Sequence, residues 1–527
     1  MEKGKKRKMF SLKWERIDCY FASMILWGFL FAGLLFGSQR HIAGKILSNA
    51  WDRGIFLPLL WAYLSIAVVV WYNFSKNVDW STVKKVSIIF SIAFTLRISI
   101  AFFTNYLPTS DFTNYFSMGQ MYLNGDYDQI AQISNRYGIA SFSGLAVLNG
   151  CLMRMFSSSL FGLQIGNCAL SATIAVMVLM ITSLYSEKAG FLGGLLYTLY
   201  PSNIAFSTVP TNQHGATLFL LISVYFFLLI QKEEKKNFFL LSILSGCSMA
   251  VSYFFHPSVH SHIAAITIFL LLIIIKNIRD RNNIVTTLIC GMGFALAIII
   301  TMAGTFSLLR NNGLLSQHEE QTTSLSKIVV GLNQETGGAY SAEDYGAFKG
   351  LESSEQTELA YQLIVQRLSS NTFGENIVFF AKKANRMWFS GDSSFNWLMS
   401  GMDAFEGNAK DDSTYSNIID RKVVSAIGEV DIIYVLFIYM FAAIGIVVTG
   451  KNDVPVVSLS RWIILGWVGV HLLIEIQARY RYAVMPFLIL FAAIGAMQSI
   501  EILKKCLSRG KSKNGYEPPE EVTQGYV

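Results

Sequence analysis

The sequence predicts an all-α, multi-pass membrane protein with an extramembrane, mainly helical segment. Hydrophobic residues make up 53% of its 527 positions and charged residues only 15%, a balance too apolar for a soluble protein of this size. Apolar runs long enough to cross a bilayer recur along the chain, and they lack the alternation of barrel strands. One long polar stretch, about residues 310–429, interrupts them.

Twelve of the apolar runs are predicted to be membrane-spanning helices. In chain order they lie near residues 18–36, 54–74, 86–105, 160–184, 189–206, 208–230, 238–255, 258–276, 284–309, 430–450, 460–477 and 481–503. A further stretch, 139–156, is broken by serine, glycine and asparagine residues, and we interpret it as a surface or partly inserted helix. A thirteenth span there would invert the orientation of everything downstream.

The predicted orientation follows from the basic residues, which cluster beside spans rather than in one patch. Such clusters mark cytoplasmic loops, so both termini are predicted to be cytoplasmic in a protein of the cell membrane. The net charge of +7 then indicates contact with the lipid bilayer and not with nucleic acid. The segment 310–429 holds 16 of the 35 acidic residues, as expected for an external segment.

The predicted organisation has five parts, and its external features are a loop within the second part and the whole of the third. The five parts are a cytoplasmic tail with two additional spans (1–85), a transmembrane core (86–309) that includes an external loop (106–138), the external segment (310–429), the last spans (430–503) and a disordered cytoplasmic tail (504–527). Within the external segment, residues 353–368 and 373–388 are predicted to form helices.

Two charged features of the predicted outer face are candidate functional groups. Asp111 directly follows a span, where a carboxylate is either a helix N-cap or a group with a task. Arg479 and Arg481 occupy the short turn between the last two spans. Guanidinium groups match phosphate oxygens, but arginine also anchors helices at the headgroup level, and the turn fits both interpretations. Glu475 is predicted to pair with one of the arginines.

Two histidines near the start of one span have a spacing that could suit metal ligands. His256 and His260 lie one helical turn apart, a spacing that zinc ligands use. No third ligand accompanies them in sequence, so we interpret them as interfacial histidines and keep His256 as a candidate phosphate contact. No metal site is predicted, and the sequence requires no cofactor, although a role for a divalent cation stays open.

Several short motifs occur in an order that resembles that of a known family. They are the Arg97-bearing helix followed by Ser110-Asp111-Phe112 and Tyr115, the run Gly190 to Pro201, Val330-Gly331-Leu332-Asn333 with Gly337-Gly338 and Asp344, Lys382-Lys383 with Trp388, and Arg479-Tyr480-Arg481 with Pro486. Over roughly residues 86 to 500 the chain resembles the C-superfamily (GT-C) membrane glycosyltransferases, especially the protein O-mannosyltransferases and aminoarabinose transferases of family 39. It departs from them at His256-Pro257, where relatives often have Arg-Pro, and at Asn212, where they often have an acidic residue.

The resemblance implies an inverting transfer of a sugar from a polyprenyl-phosphate donor to an acceptor on the outer face. The acceptor would be a cell-envelope glycan, a lipid or a protein. Asp111 would be the general base. The candidate contacts to the donor phosphate are Arg479, Arg481, His256 and Arg97; those to the acceptor or sugar are Tyr115, Asp126, Asp128, Lys382, Lys383 and Trp388. For Asp126 and Asp128, solvated loop charges are the alternative.

Two other functions stay open at this point. A glycan polymerase or ligase would also have many spans and a large external segment, and it would use lipid-diphosphate donors. A flippase or transporter of lipid-linked sugars would be expected to show internal repeats and charges deep in the membrane. The sequence shows no such repeat, which favours an enzyme.

Overall fold

The computed structural model describes residues 22–30, 80–137, 141–231, 237–256, 259–280, 284–316, 325–389, 394–408, 421–450 and 454–513. These residues form helices joined by turns, and no strand occurs among them. The prediction of an all-α protein is therefore confirmed for this part of the chain. The predicted span 54–74 and both tail ends lie outside the described residues, and the predicted span 18–36 is described only over its helical residues 22–30.

The helices before the polar segment are α1 to α11. They are α1 (Thr82–Phe103), α2 (Asp111–Asn124), α3 (Tyr127–Tyr137), α4 (Ser141–Phe156), α5 (Leu160–Ser183), α6 (Glu187–Thr198), α7 (Pro201–Phe206), α8 (Gln213–Ile230), α9 (Phe238–Tyr253), α10 (His260–Asp280) and α11 (Ile284–Asn311). The later helices are α12 (Leu325–Gly331), α13 (Ala342–Ala347), α14 (Ser353–Ser369), α15 (Phe373–Trp388), α16 (Phe395–Asn408), α17 (Arg421–Val448), α18 (Pro455–Leu473) and α19 (Met485–Lys513). A 3₁₀ helix, Ala478–Ala483, joins α18 to α19 and is called the arginine turn below.

Eight of the described helices are long and apolar enough to cross a membrane: α1, α5, α8, α10, α11, α17, α18 and α19. Each coincides with a predicted span, so the multi-pass architecture is supported, whereas the count of twelve is not confirmed. The prediction of one continuous span at 189–206 is wrong. Pro201 cannot continue a helix because it lacks an N–H, and it starts the separate short helix α7.

Two shorter helices concern the remaining predictions for the first half of the chain. The apolar helix α9 has 16 residues, fewer than the predicted span at 238–255. Helix α4 also has 16 residues, which at 1.5 Å per residue is about 24 Å. A hydrocarbon core is about 30 Å thick, so α4 by itself is too short to cross it. This length fits the interpretation of 139–156 as a helix that does not fully cross.

Helices α17 and α19 pack closely against each other. Glycines let the backbones of α17 and α19 touch, since a Cβ at Gly445 would lie 2.0 Å from the Phe491 carbonyl oxygen, and one at Gly495 would lie 2.0 Å from that of Phe441. Small residues commonly allow this close approach between membrane helices. The pair α17–α19 therefore gives a rigid base to the arginine turn, which leads directly into α19.

The described residues of the polar segment are mainly helical, and its two predicted amphipathic helices are confirmed as α14 and α15. Both begin with a capping box, Glu352 with Glu355 and Thr372 with Glu375, which satisfies backbone N–H groups at the helix start. The buried Asp344 accepts hydrogen bonds from Arg367 (2.6 Å) and Asn333 (2.8 Å). This ion pair joins α13 to α14 and holds the segment together.

Candidate functional site

The start of α2 presents Asp111 in an unusual backbone setting. Asp111 is the first residue of α2, and Ser110 occupies the N-cap position without a side-chain capping bond. Ser110 has φ +56° and ψ −135°, and among the described residues it alone combines a positive φ with a side chain. Helix capping therefore does not explain these two side chains. A backbone conformation that normally requires glycine costs about 1–3 kcal/mol and is often found at functional sites.

The strain at Ser110 predicts the effect of a glycine. Ser110→Gly removes the clash of the Cβ with its own backbone and is expected to stabilise the fold by about 1 kcal/mol. The measurement is the melting temperature of the purified protein, with Ser110→Ala as the matched control that keeps a Cβ. Equal melting temperatures for the two variants would contradict strain at this residue.

The structure brings Asp111 together with Arg479 of the arginine turn. Nη2 of Arg479 donates to Oδ2 of Asp111 over 3.2 Å. The two side chains differ in exposure, 54% for Asp111 and 8% for Arg479. The guanidinium is therefore held inside the protein, while about half of the carboxylate side chain is accessible to other molecules.

Three aromatic rings surround the Arg479 guanidinium. Its central carbon lies 4.9 Å from the ring centre of Phe112, 5.1 Å from that of Trp397 and 5.8 Å from that of Tyr480. Trp397 reaches this position because α16 is tied to the loop before α2, where the Leu107 N–H donates to the Gly401 carbonyl over 3.1 Å. Cation–π contacts favour a charged, ordered guanidinium. The Nε atom of Arg479 is buried and has no hydrogen-bond partner among the described residues.

A second cation, Lys327 of α12, lies close enough to Tyr480 to interact with it electrostatically. Its Nζ donates to Oε2 of Glu475 over 2.7 Å, and the Tyr345 hydroxyl donates to the same oxygen over 2.6 Å. The prediction that Glu475 pairs with an arginine is therefore wrong. Gly331 lets the backbone of α12 approach the end of α18, since a Cβ at this position would lie only 2.1 Å from the Leu473 carbonyl oxygen. This close approach brings Lys327 of α12 to Glu475.

Both members of the Lys327–Glu475 pair are charged at neutral pH. Burial alone would raise the pKa of Glu475, but the Lys327 charge and the hydrogen bonds from Lys327 and Tyr345 lower that pKa below its ordinary value. Burial alone would lower the pKa of Lys327, but Tyr480 and Glu475 raise it above its ordinary value. Lys327 therefore carries its charge at neutral pH, and 46% of its side chain is exposed.

His256 and Tyr115 complete the surroundings of the two cations. The His256 ring lies 6.4 Å from that of Tyr480, and burial together with the charges of Arg479 and Lys327 lowers the pKa of His256 to about 3. The imidazole is therefore neutral and able to donate or accept a hydrogen bond. Tyr115 lies one helical turn after Asp111, and burial and the Asp111 charge raise the pKa of its hydroxyl, which stays protonated.

Arg481 and Arg97, two of the predicted phosphate contacts, are instead buried among helices. Arg481 donates from Nη1 to the Trp388 carbonyl (2.8 Å) and from Nε to the Ala478 carbonyl (3.1 Å). Arg97 donates to Ser171 (2.8 Å) and to the carbonyls of residues 197 and 198, which end α6. Cations that bind the last carbonyls of a helix stabilise its C-terminus. These contacts of both arginines hold helices in place.

Of the predicted sugar contacts in the external segment, Trp388 and Lys383 are buried. Trp388 is 2% exposed and packs edge-on against Phe29, with ring centres 5.7 Å apart. Lys383 is buried and donates to the carbonyls of Gly331 (2.5 Å) and Leu472 (2.9 Å), near the ends of α12 and α18. Lys382 is exposed to solvent. These positions give Trp388 and Lys383 a structural task.

Asp126 and Asp128 lie beyond the other end of α2. The helix separates them from Asp111 by on the order of 20 Å at 1.5 Å per residue. Asp128 is exposed and Asp126 partly so, as expected for solvated loop charges. Within the described ranges, no group of three His, Cys, Asp or Glu side chains is placed to hold a metal ion.

Lys327 and Trp397 are the two site residues that the sequence did not reveal. Neither lies in a charged turn or beside a span, and packing of the external segment brings Trp397 to Arg479 and Lys327 to Glu475. The Val330–Asn333 motif gives no indication that Lys327, three residues before it, pairs with Glu475. Their identification depends on tertiary structure alone.

Comparison with known families identifies the chain as a member of one of them. The family described as conserved hypothetical integral membrane protein matches residues 167–500, well over half of the chain, and the chain belongs to that family. This match supports a multi-pass membrane protein. No curated protein matches the sequence.

Two solved structures are similar in part. One is the archaeal oligosaccharyltransferase AglB from Archaeoglobus fulgidus in complex with an inhibitory peptide and a dolichol-phosphate, with a TM-score of 0.45, 11% identity, and coverage of 82% of this chain and 52% of that one. The other is the Archaeoglobus fulgidus oligosaccharyltransferase in the apo form, with a TM-score of 0.44, 11% identity, and coverage of 81% and 52%. The chain spans about half the length of each.

Proposed function

We propose that this protein is a membrane glycosyltransferase that transfers a sugar from a polyprenyl-phosphate donor to a cell-envelope acceptor. The observation that carries the proposal is the ion pair of Asp111 and Arg479, because it joins a partly exposed carboxylate to a buried, aromatic-lined guanidinium. The first group suits proton abstraction from an acceptor, and the second suits an anionic leaving group. The resemblance to GT-C enzymes at both motifs supports the same assignment.

The donor phosphate is assigned to Arg479 and Lys327, with His256 beside them. Arg479 is ordered by three aromatic rings before any ligand arrives, so little side-chain entropy remains to be lost on binding. Its buried Nε has no hydrogen-bond partner among the described residues. A buried donor without a partner costs free energy, and a ligand oxygen could supply the partner. The charge of Lys327 reaches both Tyr480 and His256, and the neutral His256 can donate a hydrogen bond to a phosphate oxygen.

The chemical step divides between the carboxylate and the cations. The oxygen of an acceptor hydroxyl forms a bond to the anomeric carbon while the bond from that carbon to the phosphate oxygen breaks. The hydroxyl proton passes to Asp111, and the electron pair leaves with the lipid phosphate, whose charge Arg479 and Lys327 stabilise. Attack opposite the leaving phosphate inverts the anomeric centre.

Donor binding also changes the partner of Asp111. In the structure its Oδ2 accepts a hydrogen bond from Arg479. A phosphate that draws the guanidinium's charge weakens this bond and makes the carboxylate a stronger base toward the acceptor. Tyr115 and Trp397 line the same place, and they are the candidate sugar or acceptor contacts in place of the buried Trp388.

The lipid part of the donor fits a membrane-embedded bundle. Helices α10 and α11 present exposed apolar side chains along their length, such as Leu271, Ile275, Met292 and Ile299. A polyprenyl chain can therefore stay in the bilayer while its phosphate reaches the site. With the orientation predicted from the basic loops, the site lies on the outer face, and the termini are cytoplasmic.

A lipid-diphosphate donor is the second candidate, because Arg479 and Lys327 together suit two phosphates as well as one. Proteoliposomes containing the purified protein separate the two. Sugars linked to polyprenyl monophosphate are supplied in one arm and sugars linked to polyprenyl diphosphate in the other, with cell-envelope extract as acceptor. Release of polyprenyl monophosphate in the first arm alone is the expected result. Turnover in neither arm, over a panel of hexoses and pentoses, would contradict a glycosyltransferase.

A further inference from the structure

Helix α15 has an apolar side that the described part of the protein leaves uncovered. Its buried side, which includes Lys383, faces the rest of the molecule. A second side carries Phe373, Ile377 and Phe380, at the i, i+4, i+7 spacing that aligns side chains along a helix. Phe373 is 83% exposed and Ile377 is 52% exposed. Large apolar side chains at such exposure on one side of a helix indicate a binding surface.

The position of α15 places this side near the end of a membrane span. Lys383 of α15 donates to the Leu472 carbonyl, one residue before the end of α18. The Trp388 carbonyl, at the end of α15, accepts from Arg481 in the arginine turn that follows the same span. Helix α15 therefore lies at the level where α18 leaves the hydrocarbon core.

At its C-terminal end, α15 also contacts the helical residues 22–30, which expose apolar side chains. Trp388 lies eleven residues after Ile377, which returns it to within about 20° of the same side at 100° per residue. Its ring packs on Phe29, as does that of Phe389. The helical residues 22–30 around Phe29 expose Met24 and Ile25, which suit contact with lipid. The exposed stripe of Phe373, Ile377 and Phe380 thus leads to the buried Trp388, whose ring contacts a helix that exposes apolar side chains.

We propose that α15 lies in the plane of the membrane interface, with Phe373, Ile377 and Phe380 in the lipid of the leaflet at which the candidate site opens. Aromatic and aliphatic side chains on one side of an amphipathic helix insert in this way, and charged ones stay in water on the other side. Lys382 and Arg386 are exposed on a different side of α15 from the apolar stripe. The occupant of the surface is the bilayer, and the helix holds the arginine turn at a fixed height above it.

The test measures lipid contact at one residue of the full-length protein in nanodiscs. Phe373→Trp adds a fluorophore on the apolar side, and Lys382→Trp adds one on the polar side of the same helix. The signal of each new tryptophan is its difference from the wild-type protein, which has ten. Each sample is prepared with lipids brominated near the headgroup and with ordinary lipids, and each is titrated with aqueous acrylamide.

We expect brominated lipids to reduce the added fluorescence of Phe373→Trp at least twofold and to leave that of Lys382→Trp nearly unchanged. Acrylamide should show the opposite order. Quenching of Phe373→Trp by acrylamide but not by brominated lipid would overturn the proposal, because the side would then face water. Protection from both quenchers would also overturn it, because protein would then cover the surface. The readout is independent of sugar transfer, so the proposed activity and the interfacial helix fail separately.

Discussion

Replacing Asp111 by asparagine is expected to lower sugar transfer by on the order of 10²–10⁴-fold, the usual contribution of a placed general base. Asparagine keeps the size of the side chain but accepts no proton from the acceptor hydroxyl. The carboxylate is 54% exposed, so loss of its ion pair with Arg479 should cost little stability. Transfer from a polyprenyl-monophosphate sugar in proteoliposomes measures the first effect, and the melting temperature measures the second.

The matched control for this variant is Asp126→Asn. Asp126 belongs to the same stretch of chain, but it follows the opposite end of α2 and is separated from Asp111 by the length of that helix. It is expected to keep nearly full transfer. If Asp111→Asn retained the activity of the Asp126→Asn protein, Asp111 would not be the base, and the reaction would require another carboxylate.

The second large effect separates the two arginines of the arginine turn. Arg479→Gln is expected to reduce transfer by on the order of 10²–10³-fold, because a preorganised donor to the leaving phosphate is lost. Arg481→Gln is expected to act on folding. Its guanidinium binds the Trp388 carbonyl in a buried setting near Asp431, and breaking such a charged contact costs on the order of 3 kcal/mol.

The two variants are compared for abundance in membranes, melting temperature and transfer per mole of folded protein. Arg479→Gln should resemble the wild type in the first two and differ in the third, whereas Arg481→Gln should show the reverse. Parallel losses of abundance in both variants would favour the interpretation that the turn only anchors the protein at the headgroup level.

The sequence predicted those parts of the fold that depend on local patterns. Helices α14 and α15 follow from their apolar periodicity and from their capping residues. The encounter of Asp111 with Arg479 was foreseen because span parity and basic loops put both on one side. The break at Pro201 was missed because the apolar run continues through it, and hydropathy does not register a lost N–H.

The remaining parts of the site depend on contacts that no local pattern encodes. Lys327 meets Glu475 across 148 residues of sequence, where an arginine had been expected. The sequence also does not show which way a charged side chain points. Arg97 faces the carbonyls at the end of α6, and Lys383 faces the ends of α12 and α18. Such buried cations resemble ligand contacts in sequence because both tasks require a strong hydrogen-bond donor.

The pairing of Asp111 with a residue 368 positions later has a consequence for biosynthesis. The ribosome will have delivered α2 long before the arginine turn emerges, and until then the carboxylate has no guanidinium beside it. A nascent chain halted anywhere in between holds the proposed base without the guanidinium proposed to bind the phosphate. If the proposed function is correct, catalytic competence arrives only when α18, the arginine turn and α19 are inserted, and an incomplete polypeptide in the membrane does not consume the donor lipid.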